Sequence, residues 1–251
     1  MESFSRLVGL MEALRGEEGC AWDKKQTEKA FRTFLLEEAY EVIDAIENGD
    51  AAMLKEELGD LLFHIVFISQ ICRERGLFQI QDVIDSAYTK MYNRHPHVFR
   101  KGEADTPIEQ RWEELKRAEK NDYAAVSGVP KILPALLRSY VISKRASRMG
   151  FDWETVDGIY EKIEEEIREL REAEKLADQA LLEEEVGDLL FTVANLARFH
   201  SIDPEGALRL TLDKFVRRFA YVEKNIDKAN PDPKVMDELW NEVKRLEKGG
   251  E

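Results

Sequence analysis

Glu37-Glu38-Ala39-Tyr40-Glu41, followed by Glu57-Leu58-Gly59-Asp60-Leu61-Leu62-Phe63, decides how this chain is read. The pattern returns as Glu165-Glu166-Ile167-Arg168-Glu169 and Glu185-Val186-Gly187-Asp188-Leu189-Leu190-Phe191, with every acid displaced by 128 positions. Each copy reads E-E-x-x-E, then E-x-x-D, inside a helical pattern. Residues three or four apart share a helix face. Glu38 and Glu41 are therefore neighbours, about 4.5 Å apart along the axis, and so are Glu57 and Asp60. Between the pairs, Asn48-Gly49-Asp50 supplies a helix stop and a new N-cap. So short a turn makes the two helices antiparallel neighbours. Four carboxylates then converge beside the bulky Leu61-Leu62-Phe63. Such a group repels itself unless cations or protons neutralise it. Oxygen-only ligands suit a hard divalent ion, Mg²⁺ or Mn²⁺. The expected ligands are Glu38, Glu41, Glu57 and Asp60 in the first copy, and Glu166, Glu169, Glu185 and Asp188 in the second.

Solvated helix faces also produce single E-x-x-E and E-x-x-D matches. Two sets at one offset, both running into G-D-L-L-F, argue against that reading. A ferritin-like di-metal bundle wants Glu-x-x-His on two helices, and the sequence has no such pair. His64 follows Asp60 by four, but Thr192 stands at its place in the second copy, so His64 is read as a core or surface residue. His95-Pro96-His97 reads as a proline-containing break rather than as metal ligands.

The 251 residues suffice for one large domain or two modest ones, and the repeat favours two. Hydrophobic residues make up 43%, enough for a core, while 35% are charged and the net charge is −14. That balance argues against a nucleic acid polymer and against anionic membrane surfaces as partners. Two distant cysteines, Cys20 and Cys72, form no metal-ligand pattern and fit a reduced, cytoplasmic setting. No signal peptide and no run of transmembrane length is apparent.

Helical patterns are expected throughout and strands nowhere. They cover roughly 3–15, a helix capped by Thr27, a helix from Asp50 to Gly76, and 81–94. A further helix begins at Thr106-Pro107. Tyr123 to Pro134, with Gly128, Pro130 and Pro134, reads as the connection between copies. Helices then cover about 135–149, 155–176 and 178–200, and Asp203-Pro204 and Asp232-Pro233 each open another. The fold class is all-α, two tandem helical bundles: 1–123, a linker at 124–134, and 135–251. The repeat reaches past the acids. Lys90 and Arg94 correspond to Lys214 and Arg218, and Trp112 and Lys116 to Trp240 and Lys244, each pair four apart. Solvated cations and core tryptophans are the ordinary reading of such residues, and their recurrence supports a binding role equally well. Lysine and arginine neutralise phosphate, and an aromatic ring stacks on a nucleobase without choosing among bases. There is no Walker-type glycine loop, and no nucleophile–base set for a covalent intermediate.

The doubled acidic motif, together with Cys20-Ala21-Trp22-Asp23-Lys24-Lys25-Gln26-Thr27, resembles the MazG nucleoside triphosphate pyrophosphohydrolases in their two-repeat form. The resemblance covers nearly the whole chain. It implies cleavage of a nucleoside triphosphate by water to the monophosphate and diphosphate, with broad base specificity, in nucleotide-pool control. It also implies a homodimer with bundles paired between chains. Glu37 and Glu165, the acids outside the proposed ligand sets, are the candidate general bases. The family pattern places additional cations near the second acidic set, here Lys144 and Lys162. Phe34 stands where the second copy has Lys162, and Lys144 has no clear counterpart, so the second copy is expected to be the main catalytic centre. A narrow-specificity relative, dUTPase-like or a phosphoribosyl-ATP pyrophosphohydrolase, and a non-enzymatic helical adaptor are the alternatives.

Overall fold

A computed structural model of the chain describes residues 2–99, 125–227 and 231–248. Trp112, Lys116 and the helix expected after Thr106-Pro107 lie outside them. Among the described residues there are ten α-helices and no strand, as expected for the all-α class. The chain divides into two compact units, Met1–Asp105 and Thr106–Glu251.

The first unit contains α1 (Glu2–Arg15), a 3-10 turn at Asp23–Lys25, α2 (Glu28–Glu47), α3 (Ala51–Glu74), α4 (Ile80–Arg94) and the short α5 (Pro96–Phe99). Helices α2 and α3 form an antiparallel hairpin, and α1 packs on α3. Their apolar stripes meet in a core of Met11, Phe31, Val66, Phe67 and Ile71. The Phe31 and Phe67 rings stack at 4.3 Å between centroids. Burying each such side chain contributes about 2 kcal/mol.

The Cys20–Thr27 stretch is a joint in this unit. Gly19 lies so close to the Leu14 carbonyl that a Cβ there would sit 2.3 Å from its oxygen. Arg15, whose side chain is only 7% exposed, donates to the backbone carbonyls of Asp23 and Gln26. The same guanidinium holds both oxygens of Glu74 at the end of α3 and lies over the Phe67 ring. One side chain thus fixes α1, the turn and α3 together. His95 Nδ1 lies 2.7 Å from the Met91 carbonyl oxygen at the end of α4, in keeping with the proline-containing break expected at His95-Pro96-His97.

The second unit contains α6 (Ala135–Ser147), α7 (Val156–Leu176), α8 (Gln179–Phe199), α9 (Pro204–Asn225) and α10 (Pro233–Lys248). Helices α7 and α8 repeat the hairpin, α6 packs on α8, α9 touches α6 and α8, and α10 packs on α9. Here Asp152 replaces the turn's anchoring, held by Arg198 of α8. The residues before α6 belong to this packing, since Arg145 donates to the Ala125 carbonyl at 3.0 Å.

Both hairpin turns use the same device. Asp50 accepts from the amides of Ala52 and Met53, and Asp178 accepts from those of Ala180 and Leu181. The residue before each cap is left-handed, Gly49 at φ 68° and Ala177 at φ 53°. Alanine strains in that region and glycine does not. Ala177→Gly is therefore expected to stabilise the second unit by about 1 kcal/mol, read as a shift in the urea midpoint. A destabilised variant would mean that the strain has been relieved elsewhere.

Candidate functional site

The hairpins level the acids. Glu41 lies nine residues before Asp50 (50 − 41) and Glu57 seven after it (57 − 50), so they meet across the α2–α3 seam. Carboxylate oxygens of Glu38, Glu41 and Glu57 lie within 4.8 Å of one another. In the second unit the corresponding group is Glu166, Glu185 and Asp188, again within 4.8 Å. The remaining acids stand close enough to act on these. After desolvation, Asp60 is among the charges that raise the pKa of Glu41 and Glu57, and Glu169 is the first charge that raises that of Glu185.

The cost of gathering these acids is visible. Glu41, Glu57 and Glu185 all titrate above the usual carboxylate range, first from desolvation between the helices and then from neighbouring negative charge. One oxygen of Glu38 is buried with no hydrogen-bond partner among the described residues. Two clusters of oxygen donors that resist ionising together, one with a spare buried lone pair, fit a hard divalent cation. The residues present suit such an ion in both units.

The two centres differ in what holds the first acid of each. In the second, the Lys162 ammonium lies 2.8 Å from Glu166 and 2.9 Å from Glu165. Those two hydrogen bonds, Glu166 first, keep the lysine charged well beyond its ordinary range. Glu166 is 3% exposed, so it is a buried carboxylate with its counter-charge in place. In the first centre no lysine stands there. His64 Nε2 contacts Glu38 Oε1 at 3.2 Å instead, and Phe31, Phe34 and Phe63 surround the ring. The sequence reading left His64 as a core or surface residue and missed this contact. The paired exchange of Phe34 and His64 for Lys162 and Thr192 was the signal that could have found it.

The other expected residues fall in separate places. Glu37 is exposed on α2. Lys144 lies on α6 with its ammonium 5.6 Å from the Tyr140 ring centre. On α9, Lys214 is exposed, while Arg218 is half-buried. The Arg218 guanidinium is gripped by Glu247 of α10 at 2.7 and 2.8 Å and lies 5.8 Å from the Trp240 ring centre. Trp240 also meets Phe215 at 5.3 Å. Trp240 and Arg218 are thus brought together, and Lys244 is half-buried on the same helix as Trp240. Glu247 was not anticipated. Lys90 and Arg94 occupy the matching positions of α4.

Two helical hairpins, each closing on an acidic centre fit for a divalent cation, define a tandem-repeat all-α protein. The family model described as the MazG nucleotide pyrophosphohydrolase domain matches twice, at residues 26–99 and 148–222. The chain belongs to the MazG family. It is 45% identical over 249 residues to a Thermotoga maritima protein named nucleoside triphosphate pyrophosphohydrolase/pyrophosphatase MazG, covering 96% of this chain and 95% of that one. An Escherichia coli nucleoside triphosphate pyrophosphohydrolase is 43% identical over 262 residues, with 98% and 99% covered. A Bacillus subtilis protein, YabN, is 41% identical over 255 residues, which span 98% of this chain and 52% of that longer one. Both matched segments contain a full acidic set, and Trp240 and Lys244 lie beyond the second.

Proposed function

We propose that the chain hydrolyses nucleoside and deoxynucleoside triphosphates between the α and β phosphates, releasing the monophosphate and diphosphate, with broad tolerance of the base. The observation that carries this reading is the second centre, where Lys162 stands between Glu165 and Glu166 at the mouth of an acidic group. Glu166, Glu169, Glu185 and Asp188 would hold Mg²⁺, with Mn²⁺ as a substitute, and Glu38, Glu41, Glu57 and Asp60 would do so in the first centre. Bound there, the ion supplies charge neutralisation at the phosphate oxygens and acidifies water.

The remaining work falls to side chains. Glu165 accepts the proton of the attacking water, with Glu37 in the same position of the first copy. Lys162 orients Glu165 through its 2.9 Å hydrogen bond until a phosphate oxygen competes for its ammonium. Lys144, Lys214, Arg218 and Lys244 offset the triphosphate charge, and Trp240 stacks on the base. Lys90, Arg94, Trp112 and Lys116 are the first-copy counterparts. Glu247 holds the Arg218 guanidinium beside the indole.

A homodimer fits the exposed apolar residues. Leu58, Leu62 and Ile65 line α3, and Val186, Leu190 and Val193 recur on α8 at the same offset. Ile84, Tyr88 and Met91 on α4 recur as Leu208, Leu212 and Phe215 on α9. Stripes of this kind mark association surfaces. Sedimentation is expected to give twice the 29.1 kDa of one chain, and a monomer at micromolar concentration would refute the pairing. Among the described residues no helix is long and apolar enough to cross a membrane. A cytoplasmic location, with free nucleotides rather than nucleic acid polymers as partners, fits the charge.

Product analysis with a panel of triphosphates tests the reaction. Monophosphate and diphosphate are expected from several bases, only when a divalent cation is supplied. Orthophosphate and nucleoside diphosphate would overturn the assignment, and turnover of a single base would favour the narrow-specificity alternative.

A further inference from the structure

Four positions around the first acid change together between the copies. Phe31, Phe34, His64 and Phe67 in the first unit stand where Ile159, Lys162, Thr192 and Asn195 stand in the second. In the first unit these residues form one cage. Phe31 stacks on Phe67 at 4.3 Å, and the His64 ring meets Phe31 at 5.2 Å and Phe34 at 5.9 Å. The cage leaves the His64 side chain 12% exposed and aims Nε2 at Glu38 Oε1. A carboxylate accepts only, so Nε2 carries the proton. The opposite nitrogen, Nδ1, is buried with no partner among the described residues. The imidazole therefore holds one oxygen of Glu38 through Nε2 and leaves the other, itself buried and unpartnered, for a ligand. In the second unit Thr192 turns away, donating to the Asp188 backbone carbonyl, and Asn195 donates to that of Phe191. There the orienting group is an ammonium rather than an imidazole.

We propose that His64 is the positioning residue of the first centre. It does for Glu38 what Lys162 does for Glu166, with an imidazole on α3 in place of an ammonium and Phe34 at the lysine's position. The first centre consequently holds a divalent cation in the absence of any nucleotide, and holds it more tightly than the second. The inference rests on the reading of both centres as cation sites. A lysine beside the acids repels an incoming cation, and the second centre regains affinity only when phosphate oxygens engage that lysine. Groups that orient a ligating carboxylate through a hydrogen bond alter metal affinity by about 10- to 100-fold. A difference of at least about tenfold between the centres is expected on that scale.

The test is calorimetric titration of Mn²⁺ alone into the full-length, nucleotide-free protein. Two classes of site are expected, the tighter one removed by Glu57→Gln and kept by Glu185→Gln. His64→Leu is expected to weaken the tight class about tenfold or more, while His64→Gln, which retains a donor, keeps it. The reciprocal transplant, Lys162→Phe with Thr192→His, is expected to tighten the weaker class. It serves as the independent arm should His64→Leu fail to melt cooperatively. Two equal classes, a tight class lost on Glu185→Gln, or identical isotherms for the leucine and glutamine variants would each overturn the inference. Those outcomes leave the hydrolytic reading standing. Binding of no Mn²⁺ at either centre would remove both.

Discussion

Replacing Glu185 by Gln together with Asp188 by Asn is expected to lower diphosphate release by about 10³-fold, equivalent to about 4 kcal/mol of transition-state stabilisation. The amides keep the shape of the α7–α8 seam and remove two negative charges from it, so folding should survive. In the native chain Glu185 already titrates high, raised by desolvation and then by Glu169, Glu166 and Asp188. The amide variant relieves that repulsion, and its ion-free melting temperature is expected to rise slightly. Loss of activity with a stable fold separates a cation ligand from a structural acid. The matching variant of the first unit, Glu57→Gln with Asp60→Asn, is expected to retain most of the activity, since its centre has Phe34 in place of Lys162. An assay in which only the first-unit variant is inactive would reverse the assignment of the catalytic copy.

Arg15→Ala carries the largest expected effect on stability, about 3 kcal/mol. The change strands Glu74 and takes the guanidinium donor away from the Asp23 and Gln26 carbonyls. It also removes the cation over Phe67. The Arg15 hydrogen bond is the first cause holding the Glu74 carboxyl below its ordinary value of 4.5. A folded value below the unfolded one means that the pair's contribution is complete above pH 4.5. It is lost as pH falls through the lower folded value. The difference in unfolding free energy between wild type and variant should therefore be constant near neutrality and shrink in acid. A difference independent of pH down to 2 would mean that the carbonyl contacts alone account for the effect.

The hairpins were legible because short-range rules set them. Asp50 and Asp178 cap their helices where a capping residue precedes an apolar period, and Gly49 takes the left-handed turn that Asn-Gly-Asp announces. The acids then follow from helical spacing alone, so their convergence could be read without coordinates. The same rules gave no access to contacts set by tertiary packing. His64 and Glu38 are 26 residues apart on different helices, and no periodicity links them. Glu247 meets Arg217 and Arg218 across the α9–α10 seam, in a charged stretch that reads as a solvated face. Arg15 carries no local signal of what it holds. Its role depends on the carbonyls of the 3-10 turn and on Glu74 at the far end of α3, and one-dimensional patterns do not encode those contacts.

The caged imidazole has a further consequence for how the two halves can drift. Lysine at position 34 alone would drive a charge into the wall formed by Phe31, and threonine at 64 alone would open a hole where a ring now sits. Neighbours so tightly coupled do not respond additively. Genetic exchange between the halves should therefore be tolerated at the acidic codons, which already agree, and purged at these four. The four positions are expected to exchange between the halves only as a set.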